Sequence, residues 1–197
     1  MEFIVSILLG IGLSASCGFR VFVPLLVTNV ASLIDYIKFS PGFEWIGGWV
    51  SFAVFATATI VEIGAYYIPW LDNLLDTIST PLSVIAGTVL TASFITEMNP
   101  LAQWTLGIIV GGGTAGIIAA GTSAVRLGSS ATTGGLGNHI ISTIENAVSF
   151  IFSILSILIP VVMGITALIA LGYFGGKLLN RKGKKQSITA EKINNIE

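Results

Sequence analysis

The sequence is short of charge. Lys and Arg number nine and Asp and Glu ten in 197 residues, so 10% of the chain is charged, where a soluble domain carries about 25%. Too few charges remain to cover a water-facing surface, which excludes an ordinary soluble domain. Cysteine and histidine occur once each. A single Cys17 excludes an internal disulfide. Its context, Leu13-Ser14-Ala15-Ser16-Cys17, faintly resembles a lipoprotein cleavage box, but the preceding segment holds Glu2 and no Lys or Arg, which argues against a signal peptide. A single His139 with no Cys or Asp cluster beside it makes a poor metal site, argues against a serine–histidine triad, and suits a hydrogen bond near a helix end. Gly111-Gly112-Gly113 lacks the Gly-Lys-Ser/Thr that would follow in a phosphate-binding loop. No cofactor motif is present, and no cofactor is expected.

What is there is apolar. Hydrophobic residues make up 53% of the chain and mean hydropathy is +0.90. Runs of about 20 apolar residues recur, the length a helix needs to cross the hydrocarbon core. Lipid offers no hydrogen bonds to the backbone, so spans are helices or closed barrels. The runs are continuous rather than alternating, which selects helices. The predicted fold is an all-α polytopic membrane protein with about five (four to six) transmembrane helices, forming one membrane-embedded domain over residues 1–176. Residues 177–197 hold six of the nine basic residues. They follow the last apolar run, so the positive-inside rule places the C-terminus in the cytoplasm, and this polar tail is predicted to be disordered.

The first apolar stretch, 3–33, is longer than one span needs and contains Gly18 and Pro24. A proline inside a helix kinks or breaks it, so this stretch reads as a kinked helix or two half-helices. Residues 34–45 read as a loop, 46–68 as a span ending at Pro69, and 70–80 as an amphipathic interfacial segment. Thr80-Pro81 has the form of a helix start, opening a short third span over 81–96. A fourth span is expected over 101–120. Residues 121–138 are rich in Gly, Ser and Thr, too polar for lipid, and read either as a re-entrant or discontinuous segment buried in protein or as a flexible loop. Asn138 is expected to cap a last helix over 139–176, kinked at Pro160 and Gly164. Trp45, Trp49, Trp70 and Trp104 all fall near predicted span ends, as an aromatic belt requires. A weak internal repeat relates Ser14–Val21 to Ala120–Leu127, each a small-residue run ending near a lone arginine.

Chemistry is most plausible where charge sits in apolar surroundings. Arg20 lies inside the first stretch. Glu62 lies seven residues before Pro69, and Glu145 seven after Asn138, each about 10 Å from its landmark at 1.5 Å per residue. Arg126 lies in the small-residue segment. A charge at membrane depth costs at least about 2.5–3.5 kcal/mol, so these four need partners, water or a ligand. Two readings stand: Arg–Glu bridges that fix helix packing, or a polar cavity in which arginines meet an anion. Arginine's planar fork suits phosphate or carboxylate. Asn73, Thr132, Thr133 and Asn138 are further candidates for substrate or ion binding. Asp72 and Asp76 are four apart and share a helical face, so they could hold a divalent cation, as the aspartate-rich segments of membrane prenyltransferases do. Those enzymes need two such segments, and this chain has one.

Three strings together carry a resemblance: Gly18-Phe19-Arg20-Val21-Phe22-Val23-Pro24; Glu62-Ile63-Gly64 with Pro69-Trp70-Leu71-Asp72-Asn73-Leu74-Leu75-Asp76-Thr77; and Ser130-Ala131-Thr132-Thr133-Gly134-Gly135-Leu136-Gly137-Asn138. In these the chain resembles domain-of-unknown-function family 4126 over most of residues 8–170. The resemblance implies a small multi-pass protein of the bacterial inner membrane and no particular activity. The leading expectation is a transporter or channel-like protein for an anionic or amphiphilic solute, homo-oligomeric, in contact with membrane lipids and not nucleic acid. The alternatives are an enzyme acting on a lipid phosphate with Mg²⁺ at Asp72 and Asp76, and a non-catalytic scaffold. Five crossings would put the N-terminus outside; splitting the first stretch into two crossings would put it inside.

Overall fold

The computed structural model describes residues 2–96, 98–134, 137–173 and 176, without the side chains of residues 2, 69, 70, 72–74 and 76. The basic tail from 177 onward lies outside the described residues. Among the described residues every regular element is helical. Helix α1 (Glu2–Phe19) is followed by α2 (Phe22–Leu33), a 3₁₀ turn (Glu44–Gly47), α3 (Trp49–Ala65) and α4 (Pro69–Phe94). Helix α5 (Pro100–Leu106) runs through a wide π-type turn (Gly107–Gly112) into α6 (Gly113–Thr133), and α7 (Asn138–Leu158) follows, then α8 (Pro160–Tyr173). By length and composition three segments can cross a membrane: Thr77–Phe94, Pro100–Thr133 and Asn138–Leu158. The protein is an all-helical membrane protein.

Helix α1 is the centre of the bundle, with α4, α6 and α7 packed around it. Its sequence allows this because its residues are small. A Cβ on Gly10 would lie 2.9 Å from Thr91 Cα, one on Gly12 2.6 Å from Ser156 Oγ, and one on Gly18 2.5 Å from Ile118 Cβ. Close approach through small residues is how membrane helices associate, since lipid removes the hydrophobic drive between them. Ser14 Oγ donates to the Gly87 carbonyl at 2.8 Å and meets Thr91 Oγ1 at the same distance, tying α1 to α4. Just beyond these contacts, Gln103 Nε2 donates to the carbonyls of Ala92 and Ile95, each at 2.9 Å, and closes the C-terminus of α4 with a side chain from α5. Trp45, Trp49 and Trp104 are exposed beside helix ends.

Several boundaries differ from those expected. Helix α4 does not begin at Pro81; it starts at Pro69 and continues through Pro81, so the segment 70–80 is the first part of this long helix. Proline within a membrane helix is tolerated where neighbouring groups re-satisfy the freed backbone. The α1–α2 interruption falls at Arg20-Val21, not at Pro24, which is the third residue of α2. In that first turn a proline has no helical hydrogen bond to lose. The helix expected to end near 120 runs to Thr133, because the polar side chains fold back on their own helix. Thr122 donates to the Ala119 carbonyl, Thr132 to that of Gly128 and Thr133 to that of Ser129, all at 2.8–2.9 Å. The helix stops at Gly134, whose φ of 63° is left-handed, a conformation open to glycine at little cost. Asn138 is the first residue of α7 rather than its cap; Gly137 holds the cap position without a side-chain hydrogen bond. The last helix is two, interrupted at Ile159, where φ is −134° and ψ 63°, because Pro160 disfavours helical geometry in the residue before it.

Candidate functional site

Arg20, Glu62, Arg126 and Glu145 converge. Each is at least nine-tenths buried, and each lies close to a helix end or interruption. Arg20 occupies the gap between α1 and α2, Glu62 is in the last turn of α3, Arg126 is two turns from the end of α6, and Glu145 is two turns into α7.

The pairing is unequal. Arg126 holds Glu145 in a fork: Nε lies 3.1 and 3.2 Å from the two carboxylate oxygens, and Nη2 also donates to Oε2. Arg20 Nη2 approaches the same Oε2 at 3.3 Å. Glu145 thus serves two arginines. Glu62 accepts instead from the backbone, from Val21 N–H at 2.8 Å and Phe22 N–H at 3.0 Å. These amides open α2, where helix N–H groups lack intrahelical partners and the dipole favours negative charge. Glu62 therefore caps a helix to which it does not belong, and the break in the first apolar stretch has its physical cause in a residue 41 positions away.

Three further residues complete the site. The guanidinium carbons of Arg20 and Arg126 lie 3.8 and 4.1 Å from the centroid of the Tyr66 ring, a cation–π arrangement whose strength grows as water is removed. Asn146 Oδ1 accepts from Arg20 Nε. Ser142 accepts twice, through its carbonyl from Arg20 Nη2 at 3.0 Å and through its hydroxyl from Arg126 Nη2 at 3.1 Å. One donor is left over: Arg20 Nη1 is buried without a hydrogen-bond partner among the described residues.

Sequence reasoning missed Tyr66, Ser142 and Asn146. A signal existed for two of them. Tyr66 follows Glu62 by four, on the same helical face. Ser142 belongs to a series on α7, with Glu145, Ser149, Ser153 and Ser156, spaced by three or four and buried throughout. The lower serines of that series are packing residues. Ser149 donates to the Ser16 carbonyl at 3.1 Å, Ser153 to the Ser149 carbonyl and Ser156 to the Phe152 carbonyl. Their protons are committed to the backbone, so they form no proton path.

The other candidates separate from the cluster. Asn138 is buried and its Nδ2 donates to Ser130 Oγ at 3.0 Å, joining the end of α6 to the start of α7. Thr132 and Thr133 are exposed, with their hydroxyls on helix carbonyls. Asp72, Asn73 and Asp76 lie on α4, and their side chains are outside the described ones. Among the described residues no group of three or more His, Cys, Asp or Glu could hold a metal ion. His139 Nε2 lies 3.4 Å from the Tyr67 carbonyl, linking α7 to the α3–α4 turn.

The family described as "Domain of unknown function (DUF4126)" matches residues 7–175. The chain belongs to that family. The DUF4126 match takes in every residue of the arginine–glutamate cluster, α1 from residue 7 onward and the helices from α2 to α8. No curated protein matches the chain, and no solved structure does.

Proposed function

We propose that the protein is a small membrane carrier whose buried arginine cluster receives an anionic solute. The observation that carries this reading is the unused donor Arg20 Nη1 beside two arginines that share one carboxylate. A purely structural brace needs one carboxylate per arginine and no donor left over, since a buried charge is costly unless fully paired and hydrogen-bonded. Glu62 directs its two oxygens to the amides of Val21 and Phe22, and Arg20 Nη1 is left without a hydrogen bond among the described residues. An anion that reaches Arg20 supplies the missing acceptor, and the planar fork then recognises carboxylate or phosphate oxygens.

In this reading five units cross the membrane: α1 with α2, α3, α4, α5 with α6, and α7 with α8. The site lies at the α1–α2 interruption. Discontinuous helices around a polar site are a recurring feature of carriers. The basic residues of 177–185 set the C-terminus in the cytoplasm of a bacterial inner membrane.

A second reading is a fixed brace, favoured by the forked contact of Arg126 with Glu145. Flux separates the two. Purified protein in liposomes should release a trapped organic anion faster than protein-free liposomes. Arg20→Met should abolish that release while its thermal unfolding shows a folded protein. Wild-type flux in Arg20→Met, or no flux of any anion, overturns the carrier reading and leaves the brace.

A further inference from the structure

Between α2, α3 and α7 lies an open groove of about 930 Å³, within the range of about 300–1,000 Å³ that small-molecule sites occupy. Its walls are almost wholly apolar, with Leu26, Val30, Ile63, Phe150 and Ile154 among them. Of the four lining residues with polar side chains, Tyr36 is 57% exposed and the Thr143 hydroxyl donates to the His139 carbonyl, which leaves Thr59 and Asn146. Both bear on a ligand. Thr59 is 8% exposed and its hydroxyl has no hydrogen-bond partner among the described residues. Asn146 gives its oxygen to Arg20 Nε, which leaves the two N–H donors of its amide for an occupant of the groove. Asn146 is therefore the point at which an apolar groove meets the arginine cluster.

Resting on the anion reading above, we propose that this groove seats the hydrocarbon chain of a single-chain fatty carboxylate, with its head at Thr59 and Asn146, beside Arg20. The walls match a hydrocarbon chain and exclude a strongly hydrated solute. The polar end offers hydrogen-bond donors, with Arg20 behind Asn146, and so favours a carboxylate, which has two acceptor oxygens, over an alcohol or amine. Two donor side chains suit the two oxygens of a carboxylate; a phosphate ester presents more acceptors than these residues satisfy. The groove is open to the side, between helices, so a chain partitioned into the bilayer can enter without crossing water.

The test uses the whole protein in a neutral detergent and a palmitate analogue with a photoreactive diazirine in its chain. Irradiation should place adducts on residues of α2 and α7 that line the groove. Excess palmitate should suppress them, and hexadecanol should need about tenfold more, the equivalent of about 1.4 kcal/mol. Ile154→Trp, which fills the groove, should lose the labelling while unfolding at the wild-type temperature. Equal competition by hexadecanol, stronger competition by a single-chain phosphate, unchanged labelling in Ile154→Trp, or cross-linking of two chains through α7 in place of labelling would each overturn the proposal. Failure here is distinct from failure of the carrier reading: flux of a short anion that persists in Ile154→Trp sustains the carrier and removes only the groove, whereas labelling without any flux keeps the groove and removes the carrier.

Discussion

The Glu62 carboxylate accepts the backbone N–H of Val21 at 2.8 Å, so a side chain on α3 determines where α2 begins. Most helices are capped by their own neighbouring residues; here the cap arrives from another helix and is buried.

Glu62→Ala should therefore destabilise more than the loss of an ordinary cap. Two hydrogen bonds to a carboxylate disappear, at about 1.5–3 kcal/mol each, and the two amides remain buried. Glu62→Gln keeps one acceptor oxygen and should lose about half as much. Thermal unfolding in detergent of the three proteins checks the order, wild type above Gln above Ala.

Glu145 is the residue on which the cluster depends. Its removal leaves two buried arginines without their shared carboxylate, and breaking a buried pair costs about 3–5 kcal/mol. Glu145→Ala should express poorly or melt well below wild type. Adding Arg126→Met to Glu145→Ala should recover part of the loss, because one orphaned charge goes with it. A double variant no more stable than Glu145→Ala would show that the Arg126–Glu145 contact does not couple the two helices.

Tyr66 separates ring from hydroxyl. Tyr66→Phe keeps the face over which Arg20 and Arg126 lie and should retain flux. Tyr66→Leu removes it and should cost about 2 kcal/mol, the scale of a desolvated cation–π contact. Unfolding temperature and liposome flux, measured on both variants, distinguish the contributions.

The glycine run offers a control within three consecutive residues. A Cβ on Gly111 would collide with the Gly87 carbonyl and the Thr91 hydroxyl, whereas one on Gly113 meets nothing within 4 Å. Gly111→Ala should destabilise by about 1–3 kcal/mol through overpacking. Gly113→Ala should be neutral or stabilising by up to about 1 kcal/mol through helix propensity. Melting temperatures of the pair check the sign of each.

Membrane class and the four buried charges were legible because both rest on the energy of leaving water, which composition records directly. Partner choice was not. Arg20 and Glu62 look like a natural pair from their shared isolation, yet Arg20 meets Glu145, because Glu62 had a nearer claim in the open amides of α2. Such amides are invisible in a sequence until the helix start is known. The polar segment 121–133 misled for a related reason. Serine and threonine count as polar in any composition, but a hydroxyl bonded to its own helix carbonyl presents little polarity to its surroundings. Tyr66 was hidden in an apolar span end, where an aromatic belt already explains a tyrosine.

The wide turn at Gly107–Gly112 has a consequence for which side of a long helix faces inward. Gln103 and Arg126 are both buried, yet at 3.6 residues per turn two positions that far apart would point about 140° away from each other. A π-type turn takes up about one extra residue, which rotates everything beyond it back by about 100° and brings the two onto a common side. The glycines of this turn thus act as a phase adjuster between two halves of one rod. Removing a single residue there would close the turn into ordinary helix and keep both polar faces inward, whereas inserting one would leave both halves helical and turn one polar face out toward the lipid.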